Sequence, residues 1–349
     1  MQQKDITLAF ERLGVIMTSI GNEDQWPGYN SGITEAEFSL FNDLVEKQFF
    51  HNGWFTTENV RKSLLSLGEL LTQTKLTNWL SNYNFSKQPK KVAIIMAGNL
   101  PLVGFHDFLS VILSGNHAVC KLSSDDKQLL PALGKILIEF VPNLKERITF
   151  TDARIGQVDA VIATGSDNSS HYFEQYFGKY PHVFRRNRTS VAVLNGSETK
   201  EDIYQLGHDI FDFFGLGCRN VAHVLIPESF ELNRFFEGIV DHSSVIHHNK
   251  YANNYDYNKA IYLLNKQELL DNNFVLLRDS LELFSPLGMV HYHYYKTSQD
   301  VKNYLNMFNK DIQAIIGHGF IPFGQSQKPS LIDYADGVDT MQFLNSLES

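Results

Sequence analysis

Val92-Ala93-Ile94-Ile95-Met96 runs directly into Ala97-Gly98-Asn99-Leu100-Pro101. An unbroken apolar run of this length, rich in β-branched residues, predicts a strand buried on both faces, as in a parallel sheet. The small and polar residues after it predict a turn. Residues 103–113 then read as a helix, with Gly115-Asn116 as its C-terminal stop. Outward from this unit the pattern repeats. Residues 117–122 read as a strand and 125–140 as a helix. Residues 159–163 read as a strand, and 168–177 as a helix entered through Thr164-Gly165-Ser166. Strands alternating with helices predict an α/β domain with a parallel sheet. Each helix N-terminus that follows a strand offers backbone N–H groups and a positive dipole end to a phosphate. The sheet therefore reads as nucleotide-binding, although neither GxGxxG nor GxxxxGK[ST] occurs.

Before this sheet, residues 1–85 read as helical. Ile6, Phe10, Leu13 and Met17 fall at helical spacing. Thr34-Glu35-Ala36-Glu37 is a capping-box pattern. Residues 57–79 read as a third helix, and 22–32, with Pro27-Gly28, as a loop.

Beyond the sheet, Gly215-Leu216-Gly217-Cys218-Arg219-Asn220 lies between a predicted helix, 202–214, and a predicted strand, 221–226. Glycines on both sides of Leu216 let the backbone turn sharply. Backbone N–H groups and the cation of Arg219 would both favour thiolate over thiol at Cys218. The residues alone leave a second reading open, a buried cysteine acting as a small hydrophobe.

Composition limits the alternatives. The 349 residues are 43% hydrophobic and 20% charged, enough for two domains of an ordinary globular protein. A formal net charge of -9 argues against nucleic acid or an anionic membrane as partner. The two cysteines, Cys120 and Cys218, make no disulfide framework, which fits a reducing cytoplasm. No apolar stretch reaches membrane-spanning length, and the first residues show no signal-peptide core. No His/Cys spacing makes a metal site; His291 and His293 share one face of a predicted strand, but two ligands are a weak signal.

Several stretches, in order over residues 92–324, carry a resemblance. Ala97-Gly98-Asn99-Leu100-Pro101 resembles the Pro-Trp-Asn-Phe-Pro of the aldehyde dehydrogenase superfamily. Leu113-Ser114-Gly115-Asn116 resembles its helix ending Thr-Gly-Asn, and Cys120-Lys121-Leu122-Ser123 its Lys-Pro-Ser-Glu strand end. Ala163-Thr164-Gly165-Ser166 resembles Phe-Thr-Gly-Ser, and Gly215-Leu216-Gly217-Cys218 resembles Gly-Gln-x-Cys. Glu282-Leu283-Phe284-Ser285-Pro286-Leu287 resembles Glu-Ile-Phe-Gly-Pro-Val, and Pro322-Phe323-Gly324 the C-terminal Pro-Phe-Gly. Within the superfamily the chain is most similar to the LuxC-like acyl-CoA reductases, which make fatty aldehyde.

The resemblance implies a Rossmann-type nucleotide-binding domain with the helical segment before it, at 1–195, and a second α/β catalytic domain at 196–318. A C-terminal segment, 319–349, would return toward the nucleotide-binding domain. It implies reduction of an acyl thioester, with a fatty acyl-CoA as donor, to aldehyde. Cys218 would be the nucleophile and Asn99 a donor to the oxyanion. Cofactor contacts would come from Lys121, Ser123, Ser124, Gly165, Ser166, Glu282 and Phe284. Ser124 stands where the superfamily has the glutamate that repels a 2′-phosphate, so NADPH is expected, with NADH also admitted. Asp125 and Asp126, next in the chain, would restore some repulsion. Phe184-Arg185-Arg186-Asn187-Arg188-Thr189-Ser190 replaces Glu-Leu-Gly-Gly-Lys-Ser-Pro, so the glutamate that activates water for acyl-enzyme hydrolysis is missing. Two further readings stay open: a cysteine-dependent acyltransferase or thioesterase without hydride transfer, and an acyl-phosphate reductase. The short interval between Trp79 and Val92 leaves no room for a long dimerising hairpin, so a monomer and an atypical homodimer both remain open.

Overall fold

The structure, a computed structural model, describes residues 3–83, 88–165 and 167–348. The chain divides into two compact units, residues 1–186 with 330–349, and residues 187–329.

The first unit opens with four helices, α1 (Gln3–Gly21), α2 (Glu35–Glu46), α3 (Thr57–Gly68) and α4 (Gln73–Leu80). The apolar stripe of α1 is real: Phe10, Leu13, Ile16 and Met17 are fully buried. The capping box at Thr34 forms as the sequence predicts, with the Glu37 carboxylate accepting from the Thr34 N–H at 2.7 Å. The single helix expected over 57–79 is two. After Gly68 the chain turns so that Leu71 enters the core, and Thr72 caps a new helix by accepting from the Lys75 N–H.

Five parallel strands follow: β1 (Lys91–Ile95), β2 (His117–Lys121), β3 (Ile148–Thr151), β4 (Ala160–Thr164) and β5 (His182–Arg185), crossed by α5 (Phe105–Leu113), α6 (Leu129–Phe140) and α7 (Asp167–Phe177). Their spatial order is β3-β2-β1-β4-β5. The chain leaves β1 toward β2 on one side and later returns to β4 on the other. The loops after β1 and β4 therefore flank a topological switch point, where open α/β sheets bind ligands. The helix predicted from residue 125 begins only at Leu129, because Asp126 turns inward instead of starting a helical turn.

The second unit holds β6 (Thr189–Val193), α8 (Lys200–Phe211), β7 (Val221–Pro227), α9 (Leu232–Ile239), α10 (Asn249–Leu264), β8 (Leu270–Asp271), β9 (Leu276–Asp279), β10 (Met289–Tyr295), α11 (Ser298–Met307) and β11 (Ile312–Gly317). Its sheet runs β11-β6-β7-β10-β9-β8, parallel except for the short β8–β9 pair. Residues 187–195, assigned from sequence to the first domain, fall in the second unit, because β6 pairs with β7 and β11. Residues 319–329 also stay there: the Asp209 carboxylate on α8 accepts from the Gly324 and Ser326 N–H groups at 2.7 and 2.9 Å. The return to the first unit begins at residue 330 and ends in α12 (Thr340–Asn345). It is fastened by the Trp79 indole donating to the Tyr334 hydroxyl at 2.7 Å, and by the Tyr83 hydroxyl donating to Asp339 at 2.8 Å.

Candidate active site

In the second unit, Cys218 is exposed on the loop between α8 and β7. The helix expected over 202–214 stops at Phe211, because Phe213, Phe214 and Gly215 take positive φ of 54°, 58° and 78°. Glycine adopts this region freely, whereas phenylalanine does so only under constraint from its surroundings. Phe213 is buried, and Phe214 stacks on the His248 ring at 4.1 Å between centroids. His248 also accepts the Tyr251 N–H through Nδ1, capping α10.

The main organiser of the loop is Asn220, 2% exposed, to which the sequence assigns no role. Its Oδ1 accepts from the Gly217 N–H at 2.8 Å. Its Nδ2 donates to the carbonyls of Asp209, Ile210 and Asp212 at 3.1, 3.3 and 2.8 Å. The end of α8, which lacks intrahelical partners for its last carbonyls, is thereby sealed by the same side chain that shapes the cysteine turn. An asparagine three residues after a turn glycine was the available signal. The Ser190 hydroxyl donates to the Cys218 carbonyl at 3.0 Å. Arg219, expected from sequence to favour the thiolate, donates to the Ser326 carbonyl at 3.1 Å.

Beside this loop lies a cavity of about 190 Å³. Phe214, Leu216, Tyr251, Val275, Leu287 and Val290 are among the side chains that line it. A cavity near 150 Å³ lined by Leu, Ile and Phe takes up a benzene-sized guest, so this one suits a short aliphatic group.

The stretch with Glu282 and Phe284 forms the loop from β9 into β10. β10 pairs in parallel with β7, so this loop and the Cys218 loop enter neighbouring central strands from the same end of the sheet. Leu283 is buried in the core, while Glu282 and Phe284 on either side of it are exposed. The Arg278 guanidinium reaches the Glu282 carboxylate at 3.2 Å. His293 pairs with Asp279 at 3.2 Å, and among the described residues no group of His, Cys, Asp or Glu could hold a metal ion.

In the first unit, Asn99 is exposed in the loop after β1. That loop approaches the end of β2 closely: a Cβ on Gly98 would lie 2.8 Å from the Ser123 Cβ and 2.9 Å from the Asp125 Cβ. Only glycine permits that approach. The Lys121 ammonium donates to the carbonyls of Asp152 and Ala153, the latter at 3.0 Å. Ser123 accepts from the Asp125 N–H at 3.2 Å, and Ser124 and Asp125 are exposed. Asp126 differs from them. It is buried and accepts from the Leu102 N–H at 2.8 Å. Burial pushes its carboxyl above the usual range, against the pull of the Leu102 and Leu129 backbone N–H groups. Gly165 lies between β4 and α7; Ser166 falls outside the described residues. Cys120 is fully buried in β2, and burial pushes its thiol far up, so it behaves as a small hydrophobe.

Phe184 and Arg185, in the segment that the resemblance sets against the superfamily's glutamate motif, make structural contacts. Phe184 stacks on His182 at 3.9 Å between centroids. Arg185, buried, forms an ion pair with buried Asp107 on α5 and donates to the Thr340 hydroxyl of α12 at 2.8 Å.

Two α/β units, one with a switch-point sheet and one with an exposed cysteine in a helix-to-strand turn, define an aldehyde dehydrogenase-type fold. An acetylating aldehyde dehydrogenase from Geobacillus thermoglucosidasius shares it at 11% identity and a TM-score of 0.64, over 98% of this chain and 90% of that one. Aldehyde dehydrogenase 21 from Physcomitrella patens, in complex with succinate, matches at 14% identity and 0.61, over 88% and 73%. An aldehyde dehydrogenase from Bacillus cereus, solved with NAD+, matches at 11% and 0.62, over 90% and 72%. At these identities the likeness is one of fold. The chain belongs to the acyl-CoA reductase (LuxC) family, whose family model matches residues 46–233, a span that includes Asn99, Lys121 and Cys218. No curated protein matches it at a significant level. No helix among the described residues is long and apolar enough to cross a membrane.

Proposed function

We propose that the protein reduces an acyl thioester of CoA to the aldehyde with NADPH, through an acyl-Cys218 intermediate. The observation that carries this reading is the exposed Cys218 on a constrained turn beside a cavity lined mostly by apolar side chains, in a chain of the acyl-CoA reductase family. The Cys218 thiolate attacks the thioester carbonyl, the acyl–sulfur bond to CoA breaks, and CoA leaves as thiolate. One thioester replaces another, so the exchange is nearly balanced in free energy. The carbonyl oxygen gains charge on the way, and we assign the Asn99 side-chain amide and the Cys218 backbone N–H as its donors. One such donor is worth about 3 kcal/mol of transition-state stabilisation. A reduced nicotinamide, when bound, supplies the hydride that takes the acyl group to the aldehyde level. The hemithioacetal anion left on Cys218 then collapses, returning the thiolate and releasing aldehyde. The 190 Å³ cavity would receive the aliphatic end of the acyl group.

The residues fit a dinucleotide. The sheet order places the loops after β1 and β4 at a switch point, with Gly165 just before the N-terminus of α7 for the pyrophosphate. Two of the three Lys121 donors go to backbone carbonyls, and we assign the third to the adenosine ribose. Ser123 and Ser124 would meet the 2′-phosphate, and Asp126, being turned inward, adds no repulsion there. Glu282 would hold the nicotinamide ribose, with exposed Phe284 beside the ring.

Intact-protein mass spectrometry tests the reading. Incubation with a medium-chain acyl-CoA and no cofactor should add one acyl group, lost in Cys218→Ala. Labelling by the acyl phosphate but not by the acyl-CoA would move the assignment to an acyl-phosphate reductase. Labelling of Cys218→Ala would end the covalent mechanism.

A further inference from the structure

His223 on β7 and His291 on β10 stand directly opposite each other in the strand register, and both are fully buried. Each places its Nδ1 against the same atom, the Glu282 carbonyl oxygen, at 3.0 and 2.9 Å. Tyr304 on α11 brings its hydroxyl 3.0 Å from His223 Nδ1 and 3.4 Å from the preceding carbonyl, that of Leu281. One proton arrangement satisfies all four contacts. A carbonyl oxygen only accepts, so both histidines carry the proton on Nδ1 and donate it to Glu282. The Tyr304 hydroxyl then accepts a share of the His223 proton and donates its own to Leu281.

Each Nε2 is left as a bare lone pair, buried with no hydrogen-bond partner among the described residues. A second proton on either ring would be a buried, unpaired charge, and burial accordingly holds both histidines below their usual range. Two apolar side chains here would pack the sheet without orphaned nitrogens. The histidines instead hold the Glu282 carbonyl, and Tyr304 the Leu281 carbonyl before it, while Leu283 anchors the same loop in the core. What remains outside is Glu282 and Phe284. The two ring centroids are 6.4 Å apart, and among the described residues no group of His, Cys, Asp or Glu completes a metal site with them, so coordination does not explain the pair.

We propose that His223, His291 and Tyr304 are positioning residues that fix the Glu282–Phe284 loop in the form that grips the nicotinamide-ribose half of the cofactor. This rests on the reading above that Glu282 holds that ribose. The experiment separates the two. His223→Leu and His291→Leu remove the donors, while His223→Asn and His291→Asn keep an N–H near the Nδ1 position. Tyr304→Phe is a milder change for use if the leucine variants do not fold, and Glu282→Gln reports on the ribose contact itself. Each is assayed for NADPH KM, for NADPH Kd by fluorescence titration, and for CoA released on acylation without cofactor.

The leucine variants should raise NADPH KM and Kd at least tenfold, and Tyr304→Phe about threefold. CoA release should stay within twofold, and the asparagine variants should bind NADPH within threefold of the parent. A parallel fall in acylation and cofactor binding would show a merely structural role and overturn the proposal. So would unchanged NADPH binding in folded leucine variants or, if those do not fold, in Tyr304→Phe. Unchanged NADPH binding in Glu282→Gln would instead remove the ribose reading, and the proposal with it.

Discussion

Cys218 and Cys120 show how position sets the chemistry of one side chain. Cys218 is exposed on a strained turn, whereas Cys120 is enclosed in β2 with its thiol pushed far up by burial. Cys218→Ala should abolish aldehyde formation while leaving cofactor binding and the unfolding midpoint within error. Cys120→Ser should keep most activity but lower the midpoint, because a hydroxyl replaces a buried thiol. An inactive, normally folded Cys120→Ser protein would contradict the assignment of the nucleophile. On the proposed reading, residue 124 discriminates between the two cofactors. Asp126 is turned inward, so exposed Asp125 is the carboxylate left beside Ser124. Ser124→Glu should shift the ratio of kcat/KM for NADPH over NADH toward NADH by about tenfold or more, the equivalent of one charge-assisted contact. An unchanged ratio would show that residue 124 does not face the ribose.

At the scale of the element, the join between α8 and β7 depends on Asn220 rather than on helix propensity. Three of its four hydrogen bonds are buried, and each buried carbonyl left unpaired without it would cost desolvation energy. Asn220→Ala should therefore destabilise the protein by about 2–4 kcal/mol in urea unfolding. It should also slow Cys218 alkylation or acylation, because Gly217 loses its acceptor. Normal stability together with normal acylation would show that the turn holds itself. The capping boxes at Thr34, Thr199 and Thr297 need no help from beyond the helix end, since both partners lie within one helical turn.

For the molecule as a whole, buried histidines give stability an acid limit. His223 is held down to about 3, mainly by burial, against an unfolded value near 6.5. His291 is lowered for the same reason. Between about pH 6.5 and 3 the unfolded chain binds more protons than the folded one, so stability falls as pH falls through that window. Thermal melts should show this decline, and His223→Asn should flatten it; an equally steep decline in that variant would mean other groups dominate. A second expectation concerns products. Phe184 and Arg185 stand in the segment that the resemblance sets against a water-activating glutamate, one stacked and the other ion-paired. Aldehyde with oxidised cofactor and no thiol acceptor should yield at most one equivalent of reduced cofactor, and sustained acid production would reveal another base. The sequence alone determined the α/β alternation, the helical start, the capping box at Thr34, the resemblance and the glycine-framed cysteine, because these are local: apolar period, cap spacing and short motifs survive without neighbours. Tertiary structure decided the rest. It split residues 57–79 into two helices, moved β6 into the second sheet, turned Asp126 inward and gave Asn220 and the His223–His291 pair their roles. The helix break, β6, Asp126 and the histidine pair depend on partners far away in sequence, and Asn220 on carbonyls that only the folded turn brings within reach. Burial and hydrogen-bond satisfaction act once the chain has brought such partners together.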